Sequence, residues 1–211
     1  MLVPMDTPGL KVRPIRTLDL GADVNEVFLD EVEVPTANLV GEENGGWAIA
    51  KYLLGHERTA SASIGLCKRL LRRVKELAAA RIRGAAPMIE NDRFKDRVVQ
   101  LEMELLSHEW SLMRVISLEA SGAVLGAEPS ILKIRGSEIQ QELSRLLLEC
   151  AGPYALPFVA RGLESGSSVP LAAGDELNSL AAQYFDMRKV SIFAGTTEVQ
   201  KNIIAKAALG L

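Results

Sequence analysis

The chain has 211 residues, of which 48% are hydrophobic and 24% charged, and its formal net charge is −3. This composition is typical of a globular protein, and the small acidic balance gives no reason to expect a nucleic-acid or membrane-surface partner. Cys67 and Cys150 lie far apart without a CxxC motif, which argues against a disulfide scaffold or a structural zinc site. Because the sequence also lacks a signal-peptide pattern, we expect a cytoplasmic protein.

Residues 1–44 contain short segments in which apolar and polar side chains alternate. This alternation predicts strands at residues 10–13, 25–29 and 31–34, separated by turn residues such as Gly21. Three strands are too few to close a barrel or to cover both of their own faces. We therefore interpret residues 1–44 as part of a β-domain whose remaining strands are not obvious in this sequence.

From residue 45 onward the pattern is helical and rich in alanine and leucine. We predict helices over residues 47–83, 92–121, 129–150 and 175–189, a long loop over residues 157–174, and a short final helix after the Gly195 break. Short connections between helices of this length favour an antiparallel bundle. The expected fold is mainly α, with a bundle of four to five helices at 45–211 preceded by a few strands.

Glu57 is the first residue that suggests chemistry. Apolar residues such as Leu53, Leu54 and Ile64 lie four, three and seven positions away, so the carboxylate falls on the inner face of the predicted helix. Burial raises the pKa of a carboxylate, as a general base near neutrality requires. The alternative is that Glu57 lies at the edge of this face and pairs with Arg58 or Lys51.

A second candidate is the loop that precedes the final helix. Gly195 followed by two threonines predicts a helix start, with Thr196 or Thr197 as the N-cap and Glu198 in the first turn. Free N–H groups at such an end can hold a phosphate or a carbonyl oxygen, although an ordinary capped helix has the same pattern. Neither histidine has a partner at metal-ligand spacing, so we expect no metal site.

At these residues the chain resembles the C-terminal part of an acyl-CoA dehydrogenase, and the resemblance covers nearly its whole length. The matching segments are NEVFLDEVEVP at 25–35, NLVGEENGGW at 38–47, the Glu57-Arg58 pair and AGTTEVQ at 194–200. The resemblance implies the end of a middle β-domain followed by a C-terminal helical bundle. It further implies an FAD-dependent homo-oligomer that desaturates acyl-CoA thioesters between Cα and Cβ and passes electrons to an electron-transferring flavoprotein.

The resemblance also assigns roles to individual residues. Members of the family carry the catalytic glutamate either before the Gly-Thr of the C-terminal loop or before an arginine on the first long helix of the bundle. The first position is Ala194 here and the second is Glu57, so the resemblance makes Glu57 the base and Arg58 its supporting neighbour. The backbone N–H of Ala194 would stabilise the substrate oxygen, with Gly195 on the substrate-binding side of the loop.

Only some of the residues that contact FAD in the family have counterparts in this chain. The resemblance implies cofactor contacts for Thr196 and Glu198, and for Arg81 a contact with the diphosphate of a neighbouring subunit's FAD. An aromatic-Gly pair normally follows that arginine, whereas this chain has Gly84-Ala85. The family's Gln-x-x-Gly-Gly element appears here only as Leu148-Glu149-Cys150-Ala151-Gly152.

Two other functions stay open at this point. The first alternative is a non-catalytic assembly module that completes a neighbour's FAD site. The second is a relative that oxidises another small substrate, such as a nitroalkane. The part of the β-domain that contacts the flavin ring in the family is absent from these 211 residues. We therefore expect that this chain alone neither holds FAD tightly nor turns over acyl-CoA.

Overall fold

The computed structural model describes residues 1–56, 62–83, 86–155 and 175–210. The chain divides into two compact units, residues 1–57 and 58–211. The division into domains 1–44 and 45–211 expected from the sequence stays a prediction.

In its described residues, the first unit contains a two-stranded antiparallel sheet, a 3-10 turn over Thr36–Asn38 and one α-helix. Strand β1 (Leu10–Ile15) pairs with β2 (Val24–Leu29), with Leu10 opposite Leu29, and helix α1 covers Gly46–His56. The ladder is closed by the N–H of Asp30, which donates to the carbonyl of Gly9 at 3.0 Å. Gly9 has φ +86°, and a Cβ there would lie 2.1 Å from the Asp30 oxygen, so this close approach requires glycine.

The predicted strand at residues 31–34 is wrong. These residues form no strand, and Glu31 has φ +49°, which takes the backbone out of the extended region directly after β2. Alternation of side chains predicted a strand there, but a strand also needs a partner, and β1 already pairs with β2.

The second unit is helical and agrees with the expected mainly α fold. Its elements are α2 (Ile64–Ala80), the two-residue strands β3 (Ile82–Arg83) and β4 (Ala86–Pro87), α3 (Asp92–Ala120), α4 (Glu128–Ala151), α5 (Asp175–Asp186) and α6 (Thr197–Leu209). The 92–121 and 129–150 helices are confirmed within one or two residues at each end. Helix α5 ends at Asp186, three residues before the predicted end, and a 3-10 turn over Met187–Ser191 follows it. The predicted 157–174 loop lies outside the described residues.

The single long helix predicted over residues 47–83 is wrong. Helix α1 ends at His56, and α2 begins at Ile64 after Ser63, which has φ +53°. At the other end Arg81 is extended, with φ −96° and ψ 116°, so α2 stops at Ala80. Hydrophobic periodicity continues on both sides of Ser63, and therefore the sequence pattern does not reveal the interruption.

Helix α4 lies at the centre of the second unit and packs against α2, α3, α5 and α6. Its residues are buried on most of its circumference, including Leu143, Leu146 and Leu147. Against them pack Val74 of α2 and Leu101 of α3 in one continuous core. The same helix also buries polar side chains, namely Ser130, Lys133, Ser137, Gln140 and Ser144.

Helix α3 carries an exposed row of apolar side chains, which we call the α3 stripe. It consists of Val99, Met103, Leu106, Trp110 and Met113, whose side chains are 44–69% exposed. Their spacing of four and three residues places them on one face of the helix over four turns. None of the helices in the described part of the chain is long and apolar enough to cross a membrane.

Candidate active site

The loop before α6 holds two consecutive residues in the left-handed region. Ala194 has φ +55° and Gly195 has φ +85°. Left-handed backbone is uncommon for a residue with a Cβ, so Ala194 is held there by its surroundings. Gln200 contributes to this, because its Nε2 donates to the Ala194 carbonyl at 3.1 Å.

Glycine at residue 195 suits both the backbone conformation and the Gln200 contact. A Cβ at residue 195 would lie 2.4 Å from Gln200 Nε2, and φ +85° already disfavours any side chain. Ala194 itself is exposed, and none of the described residues accepts a hydrogen bond from its backbone N–H. The loop therefore presents a fixed backbone donor that is available to an oxygen atom outside the protein.

Thr196, one of the two threonines that the sequence offered as the N-cap, caps α6. Its backbone is extended, with φ −60° and ψ 158°, and its Oγ1 accepts a hydrogen bond from the Val199 N–H at 3.2 Å. Glu198 follows in the first turn, where its own backbone N–H and the Thr196 hydroxyl hold the pKa of its carboxyl below the usual range. Glu198 is thus an exposed carboxylate at the positive end of the helix dipole.

Lys133 of α4 lies near this helix end and was not singled out from the sequence. Its side chain is only 4% exposed, and its Nζ has no hydrogen-bond partner among the residues that the structure describes. Burial lowers the pKa of Lys133, while the negative charge of Glu198 opposes this shift. No local sequence signal marks it, because a lysine on a helix is normally exposed.

Arg81 directly follows the last residue of α2. Its N–H donates to the Leu77 carbonyl at 3.0 Å, and its own carbonyl accepts from the Met88 N–H at 2.7 Å. The guanidinium forms no ion pair with any residue in the described ranges. A half-buried arginine with unused donors suits an anionic ligand group.

A groove of about 550 Å³ opens after the β3–β4 hairpin. Its walls include Met88, Arg93, Phe94 and Arg97, and Arg97 Nη2 pairs with Glu149 Oε1 at 2.6 Å. Glu149 lies within the altered Gln-x-x-Gly-Gly element, where Leu148 stands at the glutamine position, so in this chain a carboxylate held by an arginine directly follows that position. The sequence could not predict this pair, since the two residues are 52 positions apart.

The structure does not place every residue predicted for the site. Glu57 and Arg58 lie outside the described residues, and their roles therefore stay predictions. Ala194, Gly195, Thr196 and Glu198 lie together in one loop and helix start, whereas Arg81 lies on a different element.

Comparison with known proteins identifies the family. The family model of the acyl-CoA dehydrogenase C-terminal domain matches residues 44–209. The acyl-CoA dehydrogenase FadE26 of Mycobacterium tuberculosis is 30% identical over 220 residues, which cover 100% of this chain and 51% of that protein. The L-prolyl-[peptidyl-carrier protein] dehydrogenase of Pseudomonas fluorescens is 25% identical, over 97% of this chain and 50% of that protein.

Solved structures agree with this result. A chain of the ChsE4-ChsE5 complex from Mycobacterium tuberculosis superposes with a TM-score of 0.78 at 27% identity, over 99% of this chain and 52% of the matched chain. An acyl-CoA dehydrogenase from Geobacillus kaustophilus, at 24% identity and a TM-score of 0.77, has the same fold over 99% of this chain and 51% of its own. The chain spans about half the length of the relatives it matches, and it belongs to the acyl-CoA dehydrogenase family.

Proposed function

We propose that this chain is the C-terminal part of an FAD-dependent acyl-CoA dehydrogenase that desaturates an acyl-CoA thioester between Cα and Cβ. Membership of the family supports an oxidoreductase of this kind. The observation that carries the proposal is the exposed Ala194 N–H, which a left-handed backbone holds without an acceptor among the described residues.

The chemistry explains why such a donor is needed. The α-proton of a thioester is weakly acidic, and its removal builds negative charge on the carbonyl oxygen. A fixed N–H aimed at that oxygen stabilises the charge in the transition state. In the proposal Ala194 supplies this N–H, Glu57 accepts the α-proton, and Arg58 orients Glu57, with the last two roles inferred from the sequence and the family resemblance.

The residues present fit a flavin nucleotide. Arg81 offers a guanidinium without an ion-pair partner in the described ranges, which suits a diphosphate group, and Thr196 and Glu198 offer polar atoms at the start of α6. Glu198 is ionised at neutral pH, so we infer that it accepts hydrogen bonds from hydroxyl or amino groups of the cofactor and avoids its phosphates. FAD, when bound, supplies the hydride acceptor of the reaction.

We further propose that the active protein is a cytoplasmic homo-oligomer that uses acyl-CoA as substrate and an electron-transferring flavoprotein as electron acceptor. The α3 stripe supports the proposed homo-oligomer. Its five apolar residues are each at least 44% exposed on one helix face, which suits the apolar part of a contact between two copies. Glu102 and Glu109 beside the stripe pair with Lys75 and Lys68 of α2, which reduces repulsion between two copies.

The test of the proposed chemistry is the Glu57→Gln variant of the flavin-containing enzyme that includes this chain. We expect it to retain bound flavin, measured by the absorbance ratio of flavin to protein, and to lose acyl-CoA oxidation by at least about 10³-fold. Glu76→Gln, on exposed α2 surface, is the matched control and should be fully active. Full activity of Glu57→Gln with bound flavin would remove the base role and favour the assembly-module function.

A second candidate substrate follows from one relative. The Pseudomonas fluorescens protein is named as acting on a prolyl group attached to a peptidyl-carrier protein. Such a substrate is also a thioester, so the same Ala194 donor and Glu57 base would serve it. Turnover of acyl-CoA compared with acyl thioesters on a carrier protein distinguishes the two, and turnover of a nitroalkane alone would contradict both.

A further inference from the structure

Ser191 connects α4 to the start of α6. Gln141 of α4 donates through Nε2 to the Ser191 hydroxyl oxygen at 3.3 Å, and the same nitrogen lies 3.2 and 3.3 Å from the carbonyl oxygens of Met187 and Arg188. On the other side the Thr197 hydroxyl donates to the Ser191 carbonyl at 3.4 Å. A continuous hydrogen-bonded path therefore runs from the central helix to the first residue of α6.

Arg188, a residue of the same 3-10 turn, also bonds to α4. Its Nη2 donates to the Gln141 carbonyl at 3.0 Å and to the Ser144 hydroxyl at 2.8 Å. Its guanidinium also lies over the Tyr184 ring, 4.3 Å from the ring centre. Side chain and backbone of Gln141 are thus both bonded to the turn, which fixes its position along α4.

The loop between these anchors is short. Only residues 192–196 separate Ser191 from Thr197, and both ends of the loop are tied to Ser191. The bond from Gln200 to the Ala194 carbonyl removes further freedom. Because so few residues lie between the anchors, the direction of the Ala194 N–H depends on where Ser191 is held.

We propose that Gln141 is a positioning residue, which orients the Ala194 N–H through Ser191 without touching the reacting atoms. The catalytic consequence rests on the proposed function, because it assumes that this N–H stabilises the substrate oxygen. The positioning of the loop does not depend on the proposed function, since it concerns only contacts within the helical unit.

The first test measures the position of the loop in the 211-residue chain without any ligand. Gln141→Met keeps the shape of the side chain and removes the donor. Gln140→Met is the matched control, because Gln140 bonds to the Gly136 carbonyl of its own helix and to no other part of the described chain. In Gln141→Met we expect amide hydrogen exchange at Phe193 and Gln200 to accelerate about tenfold, and the NMR order parameter of the Ala194 amide to fall.

Ser191 provides the rescue. Ser191→Ala should have the same effect as Gln141→Met, Ser191→Thr should restore the original exchange rates, and the double variant Gln141→Met with Ser191→Ala should be no worse than either single one. Unchanged exchange in Gln141→Met, or an equal acceleration in Gln140→Met, would overturn the proposal.

The second test uses the flavin-containing enzyme that includes this chain. A donor that acts in the transition state affects kcat, so Gln141→Met should lower kcat about tenfold or more while KM for acyl-CoA changes less than about twofold. Faster exchange with unchanged kcat would support the positioning of the loop and contradict the catalytic role proposed for Ala194. The two inferences can therefore fail separately.

Discussion

The imidazole of His108 donates to the carbonyl oxygen of Ala62, with Nε2 and the oxygen 3.0 Å apart. Both residues are buried, and Ala62 directly precedes Ser63 at the start of α2. The bond thus ties the middle of α3 to the chain that follows residues 57–61. Since a carbonyl can only accept, Nε2 carries the hydrogen, and neutral His108 has its free electron pair on Nδ1.

We expect His108→Leu to destabilise the chain by about 1–3 kcal/mol, because it leaves the buried Ala62 carbonyl without its donor. His108→Gln, which can still donate through its amide, should lose less than half as much. Urea denaturation followed by circular dichroism measures both. Equal losses in the two variants would show that packing, and not the hydrogen bond, accounts for the effect.

His108 also predicts a pH dependence of stability. Burial, and to a smaller extent the charge of Arg135, lowers the pKa of His108 below 6.5, against the opposing effect of the Ala62 hydrogen bond. As the pH falls through 6.5 the unfolded chain binds a proton before the folded one does, so the free energy of unfolding decreases. His108→Gln should lack this part of the decrease when unfolding is measured between pH 7.5 and 5.5. An identical pH profile in wild type and variant would contradict the prediction.

Lys133→Met should stabilise the chain. The substitution keeps the length of a side chain that is 4% exposed and removes an ammonium without a hydrogen-bond partner in the described part of the chain, a change of about 1–3 kcal/mol. The pKa of Lys133 is lower in the folded chain than in the unfolded chain, whose lysine titrates near 10.5. As the pH rises towards 10.5, the folded chain loses this proton first, so the free energy of unfolding of the wild type increases with pH. The stability gained by the methionine variant therefore shrinks as the pH rises.

Thermal unfolding at pH 7 and pH 9 measures this difference. Lys201→Met, at an exposed position of α6, is the control and should change stability by less than about 0.5 kcal/mol. A destabilised Lys133→Met would mean that the ammonium has a partner that stabilises the fold.

Trp110→Glu tests the α3 stripe. Trp110 is 69% exposed near the middle of the stripe, so a charge there should prevent association without disturbing the core. We expect analytical ultracentrifugation to detect self-association of the wild-type chain and a monomeric variant with unchanged circular dichroism. Ile131→Glu, which changes an exposed apolar residue of α4 outside the stripe, should associate as the wild type does. A wild-type chain that stays monomeric at high concentration would refute the stripe as a contact between copies.

The sequence predicted the parts of the fold that depend on neighbouring residues. Helices α3 and α4 show clear apolar periodicity, α4 has a proline in its first turn, and a threonine caps α6, where the sequence left Thr196 and Thr197 open. The errors occur where distant residues decide the structure. The strand at residues 31–34 needed a partner that β2 had already taken, and the helix interruption at Ser63 has no signature in a continuous apolar pattern.

The candidate site shows the same limit. The resemblance of the sequence to a family directed attention to the 194–198 loop, but it gave no reason to consider Gln141 or Lys133. A polar residue on a helix is usually exposed, whereas Gln141 matters because it contacts residues 46–50 positions away, and Lys133 because it lacks a hydrogen-bond partner among the described residues. Only the folded arrangement reveals such residues.

The central place of α4 has a consequence for the order of folding. Because α5 and α6 pack on α4, they have no established surface to dock on until α4 has joined α2 and α3. We therefore expect the rate-limiting step to assemble α2, α3 and α4, so that truncation of Leu143 slows refolding whereas substitutions in α6 mainly accelerate unfolding. The loop that carries Ala194 would then be among the last parts of the helical unit to reach its native conformation, and among the first to leave it.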